Sequence, residues 1–217
     1  MLMEMKYYNL VEMLGKQGFF DLASVVQLAG ERRESIRMQL YRWCKAGKLL
    51  PLRRGMYAFP ESSNQSVVSS SELANNLYRP SYISTYWAVG YYGLIPEKVI
   101  TFTSVTSRVS RSFENSFGNF KYQSVKAAGF FGYRSVEIGG KKIMIAEPEK
   151  ALLDLWHLKK GSWSRARMEE MRFQNGELIN EGKLRDYAER YQSPRLVKAV
   201  ELWISVIKAQ REGTVEL

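Results

Sequence analysis

The chain has 217 residues, of which 45% are hydrophobic and 25% charged, which is the composition of an ordinary globular protein with one large or two small domains. Its formal net charge of +10 favours polyanionic partners. A single cysteine excludes an intramolecular disulfide and a cysteine-based zinc site. Because the sequence shows neither a secretory signal nor an apolar run of about 18 residues, we expect a soluble, cytoplasmic protein without a membrane partner.

The first thirty residues predict two helices. Within residues 5–15 and again within 22–29, hydrophobic side chains recur at the i, i+3, i+4, i+7 spacing of an amphipathic helix. Asp21 is expected to cap the second helix, because its carboxylate can accept hydrogen bonds from free backbone N–H groups. Gly30 follows at the point where a sharp turn between crossing helices needs positive φ.

Residues 30–60 predict a third helix and then a hairpin. Ile36, Leu40 and Trp43 share one helical face. Two short strands, 49–52 and 56–59, follow around a tight turn at Arg53-Arg54-Gly55. The order of helix, helix, turn, helix and hairpin is typical of a winged helix-turn-helix domain, which we assign to residues 1–60.

Positive charge is concentrated in this segment. Residues 31–60 contain eight basic and two acidic side chains, a net +6 of the chain's +10. Lysine and arginine bind duplex DNA by releasing its counterions, and the third helix of such a domain lies in the major groove. The predicted DNA-binding residues are Arg32 at the helix start, Arg33, Ser35, Arg37 and Met38 facing bases, Arg42 and Lys45 facing the backbone, and Arg53 and Arg54 at the wing tip. A solvated basic surface and a protein-binding winged helix are the alternatives.

The rest of the chain predicts a second domain. Residues 61–71 are polar and serine-rich, as in a linker, and residues 72–217 mix helical and strand patterns. We therefore expect an α+β chain, with a winged helix followed by a mixed α/β domain. The aromatic run at 82–95 favours a core helix over a base-stacking platform. Further on, we expect a hairpin turned at Gly139-Gly140 and helices from Pro148 onward.

The sequence offers little for catalysis. Its only histidine, His157, lies late in an amphipathic helix and favours a structural role. Glu137, Glu147, Glu149 and Lys150 resemble the carboxylates and lysine of a metal-dependent nuclease only in composition, because Pro148 interrupts the spacing and the glutamates suit a helix start. We expect no catalytic residues, no metal and no cofactor. A nuclease using Glu137 and Glu149 is kept as a minor alternative.

Several stretches resemble the AbiEi-type antitoxins of bacterial abortive-infection, type IV toxin–antitoxin systems. The matching segments are the wing KLLPLRRGMYAFP at 48–60, YISTYWAVGYYGLIPE at 82–97, FGNFKYQSV at 117–125 with FFGY at 130–133, and AEPEKALLDLWHL at 146–158. With the preceding helices they span most of residues 5–160. Their order along the chain is more specific than any one of them.

The resemblance implies a function. Antitoxins of this kind bind inverted repeats upstream of their own operon through the winged helix and repress transcription, and their second domain helps to neutralise a nucleotidyltransferase toxin. The DNA-contacting positions that carry over are Arg33, Ser35, Arg37, Arg42, Arg53 and Arg54, and no catalytic residue carries over. The alternative is a winged-helix transcription factor that has no toxin partner and senses a small ligand through the 82–95 segment.

Overall fold

The computed structural model describes residues 5–61 and 67–215, so residues 62–66 of the predicted linker lie outside the described residues. The chain divides into two compact units, Met1–Leu73 with Phe113–Gly118, and Ala74–Ser112 with Asn119–Leu217. The first unit thus includes a short segment that lies, in the sequence, within the second predicted domain.

The first unit combines three helices with a small sheet. Its elements are α1 (Tyr7–Leu14), β1 (Phe19–Asp21), α2 (Leu22–Ala29), α3 (Arg33–Lys45), β2 (Leu50–Arg53) and β3 (Met56–Ala58). The three strands are antiparallel in the order β1-β3-β2. The three helices and the hairpin agree with the predicted elements, whereas β1 was not predicted, because three residues are too few to show a strand periodicity.

Local chemistry explains where these helices begin and end. Asp21 caps α2 as predicted, since its carboxylate accepts a 2.8 Å hydrogen bond from the Ser24 backbone N–H. Gly30 ends α2 in the left-handed region, with φ of 64°. The core beneath the three helices is formed by buried side chains from α1, α2, α3 and the sheet, among them Leu10, Val25, Ile36, Leu40 and Phe59.

The remaining elements, most of which belong to the second unit, are a mixed sheet and the six α-helices α4 to α9. Along the chain the elements are α4 (Ser70–Asn76), β4 (Ser81–Ile83), α5 (Thr85–Tyr91), β5 (Phe102–Thr106), β6 (Arg111–Asn115), β7 (Gly118–Ser124), β8 (Tyr133–Ile138), β9 (Lys141–Ala146), α6 (Pro148–Leu158), α7 (Arg165–Glu170), α8 (Glu181–Arg190) and α9 (Pro194–Val215). The sheet order is β6-β7-β5-β4-β9-β8. The chain is therefore α+β, as predicted. None of the helices in the described ranges has the length and apolarity to cross a membrane.

The 82–95 segment corrects one sequence-based prediction. Instead of a single helix, Ser81–Ile83 forms strand β4, and helix α5 starts only at Thr85. β4 lies between β5, with which it is antiparallel, and β9, with which it is parallel. The tyrosines and β-branched residues of this segment suit both structures, so the helical spacing of its apolar side chains was misleading.

Helix α6 is the central helix of the second unit, and it contacts α5, α8, α9 and β9. Every residue from Glu149 to Trp156 is buried. The helix is therefore buried on all sides, and not only on the one face expected of an amphipathic helix. Two of these buried residues are oppositely charged. Lys150 and Asp154, one helical turn apart, form an ion pair in which both side chains are 0% exposed.

A closed hydrogen-bond network surrounds this buried pair. The Lys150 ammonium donates to Asp154 and to the hydroxyls of Tyr82, at 2.8 Å, and Tyr191, at 2.7 Å. Asp154 accepts from both phenols and from Ser84 Oγ, the last at 2.7 Å. Each ammonium proton thus has an acceptor, and each carboxylate oxygen has two donors, which offsets the cost of removing two charges from water.

Burial sets the protonation of the groups around the pair. It raises the pKa of Tyr82 and Tyr191 far above the usual range for a phenol, and the negative charge of Asp154 adds to that effect. Both phenols therefore stay protonated and can donate to Asp154. Burial also lowers the pKa of Lys150, while the attraction of Asp154 opposes this change.

We expect the Lys150→Met substitution to destabilise the protein by about 3–5 kcal/mol, because it leaves the Asp154 carboxylate buried without its cation. Denaturant unfolding followed by tryptophan fluorescence measures the change. The matched control is Arg165→Met on α7, which breaks an ion pair with Glu169 at the same i, i+4 spacing but with both side chains more than half exposed. We expect little change there. Equal losses in the two variants would contradict the structural role of the buried pair.

Candidate nucleic-acid interface

A groove runs between helix α3 and the β2–β3 hairpin of the first unit. Its volume is about 1040 Å³. Side chains from α3 form one wall and the hairpin forms the other, with the start of α2 between them. The lining residues are Leu22, Arg33, Arg37, Met38, Tyr41, Cys44, Lys45, Pro51, Arg53, Arg54, Gly55 and Tyr57. We call this the α3–hairpin groove.

Backbone contacts support the hairpin wall of the groove. β3 pairs with both β1 and β2, and the backbone N–H of Leu22 donates a 2.9 Å hydrogen bond to the carbonyl of Gly55 in the turn. Gly55 has a φ of 75°, a conformation that a glycine adopts without strain. Pro51 lies on β2, an edge strand of the sheet, where its missing N–H costs no ladder hydrogen bond.

Helix geometry divides the exposed side of α3 into three faces. At 100° per residue, Arg33, Arg37 and Cys44 lie on the side nearest the hairpin, and Ser35 and Arg42 lie on the opposite side. Met38, Tyr41 and Lys45 lie between them, opposite the buried Ile36 and Leu40. Met38 is 49% exposed and Tyr41 is 55% exposed, so this face of α3 presents apolar as well as cationic side chains to solvent.

The groove is strongly positive. Among the described residues that line it, Arg33, Arg37, Lys45, Arg53 and Arg54 are cationic and none is acidic. Of the two acidic residues nearby in sequence, Glu31 accepts a 2.7 Å hydrogen bond from the Met5 backbone N–H, and Glu34 is exposed in the first turn of α3. Neither of them lines the groove. The groove is thus a concave surface in which cationic side chains surround apolar ones.

The groove contains six of the predicted DNA-binding residues. They are Arg33, Arg37, Met38, Lys45, Arg53 and Arg54. Arg32, Ser35 and Arg42 are exposed on or beside α3, but they do not line the groove. The structure also locates the start of this helix: Arg32 is its N-cap residue, without a side-chain capping hydrogen bond.

Sequence reasoning missed two aromatic residues of the groove. Tyr41 follows Arg37 by four residues, so helical spacing could have placed it on the same surface. Its ring lies 5.8 Å from the Lys45 ammonium. Tyr57 is on β3, and no pattern in the sequence indicates that it faces α3, because that depends on how the hairpin packs.

The chain's single cysteine, Cys44, also lines the groove. Burial raises the pKa of its thiol, so the neutral form predominates at physiological pH. Burial and Cys44 likewise raise the pKa of Tyr57, whereas the charge of Arg37 opposes that change. Between the cationic side chains, the groove surface therefore carries no negative charge.

Of the carboxylates considered for a nuclease, Glu137 is exposed on β8, whereas Glu147 and Glu149 are engaged in other contacts. Glu147 accepts a 2.6 Å hydrogen bond from Tyr187 and pairs with Lys183 at 3.2 Å. Glu149 is buried, accepts from the backbone N–H of Asn180 at 3.0 Å and lies 3.4 Å from the same lysine. Within the described ranges, no three histidine, cysteine or acidic residues are grouped so that they could hold a metal ion.

Comparison with known proteins adds no assignment to this geometry. No protein-family model matches the chain, and no curated protein is significantly similar to it.

Proposed function

We propose that residues 1–60 form a winged helix-turn-helix domain and that the chain is a sequence-specific, DNA-binding transcriptional repressor. The observation that carries this proposal is the α3–hairpin groove, in which five cationic side chains and no acidic ones line a single concave surface. A duplex offers dense phosphate charge, so a positive groove between a helix and a hairpin suits its backbone.

In the proposed complex, α3 enters the major groove and the β2–β3 hairpin is the wing. The phosphate backbone of one strand then lies in the α3–hairpin groove, where Arg53 and Arg54 approach it from the wing and Lys45 from the helix. Arg33 and Arg37, closer to the N-terminus of α3, are placed to donate pairs of hydrogen bonds to guanine. Arg42 and Ser35, on the far side of α3, would contact the opposite strand.

Met38 and Tyr41 add a preference for thymine to the guanine contacts of the arginines. They occupy the outermost face of α3, about half exposed, where a docked helix meets base edges. The thymine C5-methyl is the apolar group that a base presents in the major groove. We therefore infer that these two side chains cover thymine methyl groups between the guanines that the arginines contact.

The antitoxin part of the proposal depends on the sequence resemblance. We propose that the repressor binds inverted repeats upstream of its own operon, and that the second unit neutralises a nucleotidyltransferase toxin. No cofactor and no catalytic step are assigned to this chain. Co-expression with a nucleotidyltransferase encoded beside the chain would test this part, and loss of the growth inhibition caused by that enzyme would support it.

A ligand-responsive regulator without a toxin partner is the second candidate function. In this function the second unit binds a small molecule and not a toxin. The observation that favours it is a pocket within the 82–95 segment, which is lined by Thr85 and Tyr86. Release of the chain from DNA by a small molecule, without any protein partner, would distinguish this function from the antitoxin.

We expect the purified chain to shift DNA from upstream of its own gene more strongly than a random duplex of equal length. If each of the five groove cations neutralises one phosphate, log K should fall with log salt at a slope of about −4 to −5. Gel-shift titrations at several salt concentrations measure both quantities. Equal, weak binding to the two duplexes would contradict the proposal, because the basic groove would then be ordinary solvated surface.

A matched pair of lysine variants tests whether this binding occurs at the groove. Lys45→Ala should weaken binding to both duplexes and make the salt slope shallower by about one unit, because a phosphate contact is lost. Lys16→Ala removes an exposed lysine of the same unit that does not line the groove, and it should leave the slope unchanged. Similar effects of the two substitutions would show that the DNA does not bind at the α3–hairpin groove.

We expect the bound sequence to lose affinity when its thymines are replaced by deoxyuracil, which lacks only the C5-methyl group. Each methyl covered by Met38 or Tyr41 should contribute about 0.8 kcal/mol, roughly fourfold in affinity. Met38→Ala and Tyr41→Ala should bind the two forms of the duplex more nearly equally. Fluorescence anisotropy on matched duplexes measures the difference.

Met13→Ala and Tyr8→Ala on α1 are the controls for these two substitutions. They remove side chains of the same types that are 43% and 72% exposed but lie outside the groove, so they should preserve the preference for thymine. An unchanged preference in the α3 variants would show that these side chains do not read thymine, without affecting the DNA-binding proposal itself.

A further inference from the structure

A phenolic hydroxyl lies on the hairpin wall of the α3–hairpin groove. It belongs to Tyr57, on the central strand β3 of the small sheet. Tyr57 is half-buried and stands between the buried Met56 and Ala58, so its side chain points to the opposite face of the sheet from theirs. That face forms part of the groove, because Pro51, the partner of Tyr57 on β2, lines the groove as well.

Aromatic packing holds the Tyr57 ring in place. Its centre lies 5.9 Å from that of the Phe20 ring, and Phe20 is a buried residue of the core of the first unit. The β1–β3 register places the two residues directly opposite each other. The hydroxyl is therefore presented by a ring that is already packed, so a bound molecule does not have to order a mobile side chain in order to use it.

The Tyr57 hydroxyl has no hydrogen-bond partner among the described residues. Tyr7, another half-buried tyrosine of the same unit, instead donates to the Lys48 carbonyl at 2.9 Å. The Tyr57 oxygen also keeps accessible surface, since it is not one of the unpartnered polar atoms that are sealed from solvent. A molecule that occupies the groove can therefore reach it.

The surroundings of this hydroxyl leave it available as a donor. Burial and the Cys44 thiol raise the pKa of Tyr57, and the charge of Arg37 opposes this change without reversing it. The phenol is therefore protonated at physiological pH. No acidic side chain is found among the described residues that line the groove. In the free chain the hydroxyl donates to water, and a bound molecule can supply a better acceptor.

We propose that the Tyr57 hydroxyl donates a hydrogen bond to a backbone phosphate of bound duplex DNA. This inference rests on the proposed DNA binding, in which one strand lies between α3 and the hairpin. Base edges are then reached from α3, whereas a donor on the hairpin wall meets the backbone. Phosphate oxygens are charged acceptors, and tyrosine is one of the neutral side chains that bind them.

A neutral donor differs from the cations of the groove in what it contributes to binding. It releases no counterion, so it adds affinity without adding to the salt dependence. A phosphate contact also carries no sequence information. Tyr57 should therefore strengthen binding to every duplex by the same factor, whereas Lys45 also steepens the salt dependence and Met38 favours thymine.

Tyr57→Phe removes the hydroxyl and keeps the ring that packs on Phe20. We expect about tenfold weaker binding to the upstream duplex and to the random duplex alike, the effect of losing a hydrogen bond to a charged group, with an unchanged salt slope. Fluorescence anisotropy at several salt concentrations measures both quantities. The control is Tyr8→Phe, which removes the hydroxyl of a 72% exposed side chain outside the groove and should change neither.

Duplexes with a single methylphosphonate, in which a methyl group replaces one charged phosphate oxygen, locate the contact. At the phosphate that Tyr57 contacts, this replacement should cost Tyr57→Phe several-fold less affinity than it costs the wild-type chain, because the hydrogen bond is already absent in the variant. A general weakening of the fold would not depend on which phosphate is replaced. Equal losses in the two proteins at every phosphate would overturn the inference.

Two further results of these titrations would also overturn it. Weaker binding of Tyr57→Phe to the upstream duplex alone would indicate a base contact. Unchanged affinity of Tyr57→Phe, with Lys45→Ala still weakened, would show that the hydroxyl is not used, and the DNA-binding proposal would stand. If the wild-type chain itself binds neither duplex, the proposed function fails, and this inference fails with it.

Discussion

The second unit depends on the burial of two opposite charges, Lys150 and Asp154. An ion pair with both side chains removed from water is tolerated only when every remaining donor and acceptor is satisfied. Here the partners come from β4 with Tyr82, from the segment before α5 with Ser84, and from the end of α8 with Tyr191. The pair therefore requires these segments to meet at helix α6.

The same network also fixes the segment that leads into helix α5. Ser84 donates its hydroxyl to Asp154 and its backbone carbonyl accepts from Thr103, so both of its polar groups are engaged. The chain then turns at Thr85, which has positive φ and whose buried hydroxyl has no hydrogen-bond partner among the described residues. The start of α5 thus directly follows a residue that is held by the buried charge network.

In the first unit, a hydrophobic core positions the cationic surface. Ile36 and Leu40 are fully buried, which fixes the rotation of α3 and turns Arg33, Arg37 and Lys45 outward. The pairing of β1 with β3 and the bond from Leu22 to Gly55 hold the hairpin beside the helix. The proposed DNA-binding groove is therefore a consequence of apolar packing and local hydrogen bonds.

Short-range rules predicted the features that depend on neighbouring residues. Asp21 as a cap, Gly30 as a left-handed end and Pro148 in the first turn of α6 are each specified by a few adjacent residues. The strands β1 and β4 escaped prediction because each has only three residues and is defined by distant partners. Lys150 and Asp154, at i, i+4, suggest a solvated pair, and only packing by other helices buries them.

In the candidate groove too, features set by neighbouring residues were predicted, and features set by packing between elements were not. The basic residues of α3 and of the hairpin turn were evident from charge and helical spacing. Tyr57 was not, because its position facing α3 depends on how β3 packs. Arg42 and Ser35 were predicted from their position in the helix, but the structure puts them on the side of α3 away from the hairpin.

Alkylation of Cys44 is the most direct test of whether DNA binds in the α3–hairpin groove. This thiol lines the groove and is the only one in the chain. The rate of its reaction with a maleimide would be measured with increasing amounts of DNA from upstream of the gene. If DNA lies in the groove, the rate falls in proportion to the fraction of protein bound. An unchanged rate at saturating DNA would contradict it, since the duplex would then lie outside the groove.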